Sequence, residues 1–199
     1  MKENIQKNTE VYVHQSIKEG RTLCGDSYFF TETEEYFICV VADGLGSGEH
    51  AYDASQSVIR MVELNHHQSV DLLMKECNKV LFDKRGAAVS VFKVYFATRE
   101  FVYSCVGNIR FYLYTPNGRL IYPLPVSGYL SGRPQIYHTQ KFSYEQNSKF
   151  LIHSDGFVFH GVKSLLKPYV SVNTISDEIE RNFGAKNDDA TVIVGSLLS

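Results

Sequence analysis

Four aspartates stand where apolar runs begin or end, and they are the residues with which this chain could do chemistry. Asp43 closes the run from Phe37 to Ala42 and is followed by Gly44. Asp155-Gly156 comes after Phe150-Leu151-Ile152-His153-Ser154, Asp188 lies just before Ala190-Thr191-Val192, and Asp26, between Gly25 and Ser27, opens an aromatic stretch. Aspartate is a poor strand former that gathers at strand ends and turns, so any one of these alone reads as a turn residue. As a set they say more. Several strand tips meeting at one edge of a sandwich would crowd like charges together, which is unfavourable unless a cation sits among them. Carboxylate oxygens with no accompanying histidine or cysteine set favour Mg²⁺ or Mn²⁺ over zinc. Two such ions, roughly 3.5–4 Å apart, can ionise a bridging water and polarise a phosphoryl group for in-line attack. Gly44, without a side chain, leaves its carbonyl free to approach an ion.

Other chemistries fit less well. Gly44-Leu45-Gly46-Ser47-Gly48 lacks the lysine of a phosphate-binding loop and the glycine spacing of a dinucleotide fold. No G-x-S-x-G elbow marks a serine hydrolase. The cysteines Cys24, Cys39, Cys77 and Cys105 include no C-x-x-C pair, so they read as reduced, core-facing thiols and not as a zinc site or disulfide framework.

The elements that must carry the aspartates follow from periodicity. An early strand includes Val11 and Val13, Tyr28 to Thr31 forms a second, and Tyr36 to Val41 is apolar enough to be covered on both faces. After Gly48 the period changes to helical, with Ala51, Ala54, Val58 and Met61 on one face and Ser47 as the expected N-cap. A second helix is predicted from Ser69, burying Leu73 and Cys77. Strands then run through Ala88–Ala97, Phe101–Val106, Arg110–Tyr114, Leu120–Tyr122, Tyr137–Tyr144 and Lys149–His153. The Pro123 to Pro134 connection is either a substrate-facing loop or a plain crossover. A short amphipathic piece at Val162–Leu166, a helix through Ile175, Ile179 and Phe183, and a β-branched strand at Ala190–Val194 close the chain. Strands outnumber helices, which come in two separated pairs. The fold class expected is α+β: a four-layer α/β/β/α sandwich, two antiparallel sheets flanked by helix pairs, with a dinuclear metal site at one edge.

At 199 residues the chain fits one domain, residues 1–199. Its net charge of −2 gives no bulk attraction to nucleic acid or anionic lipid. The segment Met1–Glu10 has no apolar core of a secretory signal, and no run approaches the roughly 20 apolar residues of a spanning helix. The expectation is a cytoplasmic protein, a monomer, with neither nucleic-acid nor membrane partners.

Asp26, Asp43-Gly44, Ser154-Asp155-Gly156 and Asp188-Asp189-x-Thr191, in this order, resemble the metal-dependent serine/threonine protein phosphatases of the PPM family. Cys24-Gly25-Asp26-Ser27, Lys84-Arg85-Gly86-Ala87, Val106-Gly107-Asn108 with Arg110, and the stretch from Tyr122 to Gly132 resemble that family's bacterial sporulation and stress-regulator branch. The resemblance covers nearly the whole chain. It implies two Mn²⁺ or Mg²⁺ ions bridged by Asp43, with the Gly44 carbonyl on one and Asp155 and Asp188 on the other, and Asp26 holding metal-bound water from behind. A water bridging the ions would attack phosphorus directly, without a phosphoenzyme. Arg21, five residues before Asp26, stands where the family often has a phosphate-binding arginine; a surface arginine on a strand edge is the equal alternative. Arg110 and His153 read as structural. The implied substrates are phosphoserine and phosphothreonine proteins of the RsbS and RsbR type in the stressosome, dephosphorylated as negative feedback on the sigma-B stress response. A silent phosphoprotein-binding module of the same fold, or a scaffold in which the acids are solvated turn residues, are the alternatives. Two departures stand out. Leu45 occupies the position where many relatives have a histidine proposed as general acid, with His50 too far along to replace it. Asn108 stands where some have an aspartate for a third ion.

Overall fold

The structure is a computed structural model that describes residues 2–183 and 187–199. In chain order, strands β1 (Lys2–Ile5), β2 (Thr9–Ser16), β3 (Asp26–Glu32) and β4 (Tyr36–Gly44) lead into helices α1 (Glu49–Asn65) and α2 (Val70–Val80). Strands β5 (Ala87–Tyr95), β6 (Glu100–Val106), β7 (Arg110–Tyr114), β8 (Leu120–Ile121), β9 (Gln140–Ser143) and β10 (Ser148–His153) follow, then α3 (Val162–Leu165), α4 (Val172–Asn182) and β11 (Ala190–Leu197).

Two antiparallel sheets result, ordered β1-β2-β11-β10-β7-β8 and β3-β4-β5-β6-β9. Strand β4 shows how the layers arise. Phe37, Cys39 and Val41 point into the core between the sheets, while Ile38, Val40 and Ala42 point to α1 and α2. A strand covered on both faces must be apolar throughout, as this one is. Between the sheets, Phe92 of β5 lies 4.7 Å from Phe111 and 5.1 Å from Phe150 between ring centroids, joining one sheet to the other through aromatic contacts. On the far side, Leu151, Val192 and Val194 pack against Leu166, Ile175 and Ile179. The α/β/β/α order expected from the sequence is therefore present.

Two lysines sit in outer sheet faces where periodicity alone called for apolar residues. Lys93 Nζ donates to the carbonyls of His66 (2.7 Å) and Gln68 (2.8 Å), tying down the turn after α1. Lys149 Nζ donates to the carbonyls of Lys167 (2.6 Å), Pro168 (3.0 Å) and Val170, tying down the loop before α4. Each ammonium satisfies carbonyls that would otherwise be left unpaired under a helix layer.

Three local expectations are corrected. Helix α1 is capped by Gly48 (φ 78°), not Ser47, and no side chain caps it. The chain leaves the glycine loop through a left-handed turn that serine would adopt only with strain. The strand expected over Tyr137–Tyr144 contracts to Gln140–Ser143. The polar amino end, read only as lacking a signal, supplies edge strand β1. Ser69, by contrast, caps α2 as expected, accepting from Leu72 N at 3.4 Å.

Candidate active site

The register of β3 against β4 sets Asp26 directly opposite Asp43, and Gly44 N donates to Gly25 O at 3.1 Å to close the pair. Two carboxylates face each other across one ladder, the arrangement cross-strand packing normally avoids. Asp26 is buried, and its Oδ2 accepts from Ser154 Oγ at 2.6 Å. Ser154 Oγ accepts in turn from Thr191 N at 2.9 Å, and Ser154 N donates to Thr191 O at 3.0 Å. The Ser154 hydroxyl thus joins the tips of β10 and β11 in one sheet to β3 in the other.

On the second sheet, pairing of His153 with Val192 sets the ends of β10 and β11 side by side and carries Asp155 and Asp188 to the same edge. Asn108 Nδ2, from the turn after β6, donates to Asp155 Oδ2 at 2.6 Å. Asp188 Oδ1 accepts from Asp189 N at 3.0 Å and lies 3.6 Å from Lys18 Nζ. Asp189 is buried behind this edge and pins the 17–25 segment by accepting from Lys18 N (2.9 Å) and Gly25 N (2.8 Å).

The electrostatics record the convergence. Burial raises the Asp43 carboxyl well above the usual carboxylate range, and Asp26, Asp155 and Asp188 raise it further, in that order. Burial likewise raises Asp26 more than the Ser154 hydroxyl lowers it, with Asp189 and Asp155 adding to the rise. Asp155 is raised by burial and then by Asp188. The four aspartates, with Asp189 beside Asp26, thus feel one another at a single edge.

Two glycines are dictated by close approach. A Cβ on Gly44 would lie 2.0 Å from Ala51 O, and one on Gly156 would lie 1.9 Å from Asp189 O. The absence of a side chain at Gly44 therefore admits the opening turn of α1 against the Asp43 tip, a packing requirement that stands beside the expected role of its carbonyl.

The remaining residues fall on different sides of this edge. The Arg21 guanidinium lies beside Gly48, 3.6 Å from where a Cβ would stand, at the start of α1. Arg85, quoted only as part of a motif, reaches the same loop: its guanidinium lies 2.8 Å from where a Cβ on Gly46 would stand. His50 is exposed on the first turn of α1. His153 is buried, with Nδ1 2.8 Å from Ser154 O and its ring against Tyr112 and Phe159. Arg110 is exposed and donates to the Tyr122 hydroxyl. Cys24 is buried, and burial raises its thiol. Asp43 opens into a cleft of about 570 Å³ whose walls include Leu45, Asn108, Arg110, Leu124 and Pro125. A larger cavity of about 770 Å³, between Phe157–Gly161 and α4, is lined by none of the four aspartates.

These residues fit divalent cations. Asp26 Oδ1 is buried with no donor, and such an acceptor is costly unless a cation or its water meets it. The donors are all oxygen, the set suited to Mg²⁺ or Mn²⁺. Among the described residues no three acidic, histidine or cysteine side chains are gathered into a ready-made cage.

Comparison with known proteins decides the family. The family described as Stage II sporulation protein E (SpoIIE) matches residues 33–197. The phosphoserine phosphatase RsbX of Bacillus subtilis (strain 168) is 42% identical over 191 residues, covering 96% of each chain. The chain belongs to the SpoIIE family of phosphatases. Within that family, the crystal structure of RsbX in complex with magnesium superposes with a TM-score of 0.94 at 41% identity, covering 98% of both chains. A chain from a structure of the bacterial stressosome, described as a modular system adapted to control secondary messenger signalling, reaches a TM-score of 0.84 at 26% identity. It covers 95% of this chain and 100% of that one. The SpoIIE-family assignment agrees with the two-sheet architecture and with the phosphatase class expected from the sequence.

Proposed function

We propose that this chain is a metal-dependent phosphoserine and phosphothreonine protein phosphatase acting on RsbS- and RsbR-like proteins of a stressosome. The observation that carries the chemistry is the meeting of Asp26 and Asp43, opposed across one ladder, with Asp155 and Asp188 from the other sheet. Likeness to RsbX, named a phosphoserine phosphatase, supports the substrate class, and likeness to a stressosome component supports the setting.

Asp43, the Gly44 carbonyl, Asp155 and Asp188 would hold two Mn²⁺ or Mg²⁺ ions. When bound, the ions supply charge stabilisation for the phosphoryl group and a nucleophile at neutral pH. The chain's own residues do the positioning. Asp26, locked by Ser154, keeps an unpartnered oxygen beside Asp43. Asn108 occupies one Asp155 oxygen, fixing how the other is presented. Arg21 and Arg85 flank the glycine loop and offer guanidinium groups to an incoming phosphate. Leu45 has no proton to give, so protonation of the leaving serine oxygen falls to solvent or substrate. The domain reading, residues 1–199 as one catalytic unit, belongs to the same proposal.

The test is phosphate release from p-nitrophenyl phosphate and from a phosphoserine protein, with Mn²⁺ and with EDTA. Turnover of both substrates with Mn²⁺ and none in EDTA is expected. A wild-type chain inert toward both with Mn²⁺ ends the enzyme reading, and Asp43→Asn equal to wild type ends the site assignment.

A further inference from the structure

The cleft that opens from Asp43 has walls that phosphate chemistry does not require. Its near wall is Leu45, an apolar residue directly after the Asp43-Gly44 tip; its far wall is Leu124 and Pro125. Leu124 is 69% exposed, yet it does not belong to a loose loop. Gln140 Nε2 holds its carbonyl at 3.0 Å. Two residues on, Val126 N donates to Cys105 O at 2.9 Å and Gly107 N donates to Val126 O at 2.8 Å. Further along, Leu130 and Ala87 exchange backbone hydrogen bonds of 2.9 Å in both directions. The connection from Pro123 to Pro134 is therefore stitched to the ends of β5 and β6. It holds a leucine side chain out in water beside the reactive tip. Nothing in the fold's own packing accounts for that side chain's position.

We infer that the Leu45–Leu124–Pro125 shelf is a specificity subsite that receives an apolar residue next to the phosphoserine of the protein substrate. This rests on the phosphatase reading of the Asp43 edge. The occupant follows from continuity and charge. The shelf and Asp43 line one cleft, so a chain whose phosphoserine reaches Asp43 must lay its neighbouring residues along it. Arg110, steadied by the Tyr122 hydroxyl, is the only cation in the described lining, which suits a chain that carries phosphate. An apolar neighbour would cover Leu124 and Leu45 and remove their surface from water, while a polar one would leave it wet.

The test uses two short phosphoserine peptides, identical except that leucine or serine flanks the phosphoserine on both sides, with p-nitrophenyl phosphate as a substrate that has no flanking residues. Wild type should prefer the leucine-flanked peptide by about tenfold in kcat/KM, equivalent to about 1.4 kcal/mol. Leu124→Ser, a change at an exposed side chain, should reduce that preference to about twofold or less, with p-nitrophenyl phosphate turnover within about twofold of wild type. Leu124→Met should keep the preference. Equal use of the two peptides by wild type, or equal loss on peptides and p-nitrophenyl phosphate in Leu124→Ser, overturns the subsite while leaving the phosphatase intact. Fluorescence anisotropy of the labelled peptides separates the two readings. A leucine preference in binding without any turnover keeps the shelf and removes the phosphatase. A wild type that dimerises through Leu124, with peptide binding untouched by the serine variant, assigns the shelf to a second copy and overturns the proposal.

Discussion

The two sheets bring their acids to the shared edge by opposite means. Asp26 and Asp43 belong to the ladder itself, fixed by register, Asp26 buried and Asp43 half-buried at the cleft. Asp155 and Asp188 sit just beyond strand ends, where an asparagine, a backbone amide and a lysine steady them. The first pair is set by strand register and unfavourable by itself; the second is better solvated. A site built this way has one half placed by strand register and one half held by side-chain and backbone contacts beyond the strand ends.

That contrast can be broken experimentally, beginning with the largest effect. Asp43→Asn should lower kcat/KM with Mn²⁺ by about 10²–10³-fold, the scale of losing one charge-stabilising group in a shielded site. The same substitution should raise the melting temperature of the metal-free protein at neutral pH, because it removes a carboxyl that folding must protonate well above its ordinary range. Loss of both activity and stability would mean that Asp43 is structural. On the solvated side, Asn108→Ala should weaken Mn²⁺ half-saturation by roughly tenfold through the freed Asp155, as for other partners of ligating carboxylates. Unchanged metal dependence would show that the Asn108 contact orients nothing.

The pH dependence of metal-free stability distinguishes the halves again. The Asp43 carboxyl is pushed up to about 8, chiefly by burial, whereas an unfolded chain releases that proton near 4. Between these values the folded state holds a proton that the unfolded state has lost. Stability is thus present at the acidic end and lost as pH rises toward 8. Thermal melts in EDTA should give a higher melting temperature at pH 5.5 than at pH 8, and Asp43→Asn should flatten the difference. A flat profile in the wild type would contradict a desolvated pair. The smallest effect belongs to Lys18→Ala. Its contact with Asp188 is long and half exposed, so stability should move by no more than about 1 kcal/mol in a denaturant titration.

Much of this was legible in the sequence because it depends on local signals. Strand β4 and its terminal aspartate are marked by an unbroken apolar run that meets Asp43-Gly44, and α2 by Ser69 ahead of a helical period. What was not legible depends on register and on distant partners. That Asp26 faces Asp43 is a consequence of pairing across a turn, and that Asn108 meets Asp155 spans two sheets. The need for glycine at position 44 comes from α1 lying against it, which no local pattern reveals. Lys93 and Lys149 broke the apolar alternation because each satisfies carbonyls of a turn far along the chain. Strand β1 escaped notice because an edge strand can stay polar and still pair through its backbone. The 123–134 connection, left open between substrate loop and crossover, is anchored like a crossover and lines the cleft as well.

The central claim is that the four aspartates form one metal site in which Asp43 is shared. Isothermal titration of the metal-free protein with Mn²⁺, beside Asp43→Asn, tests it most directly. The account predicts about two ions per wild-type chain, as a two-metal site requires, and loss of tight binding for both in the variant. A wild type that binds no Mn²⁺, or a variant that binds as many ions as tightly as wild type, would contradict it.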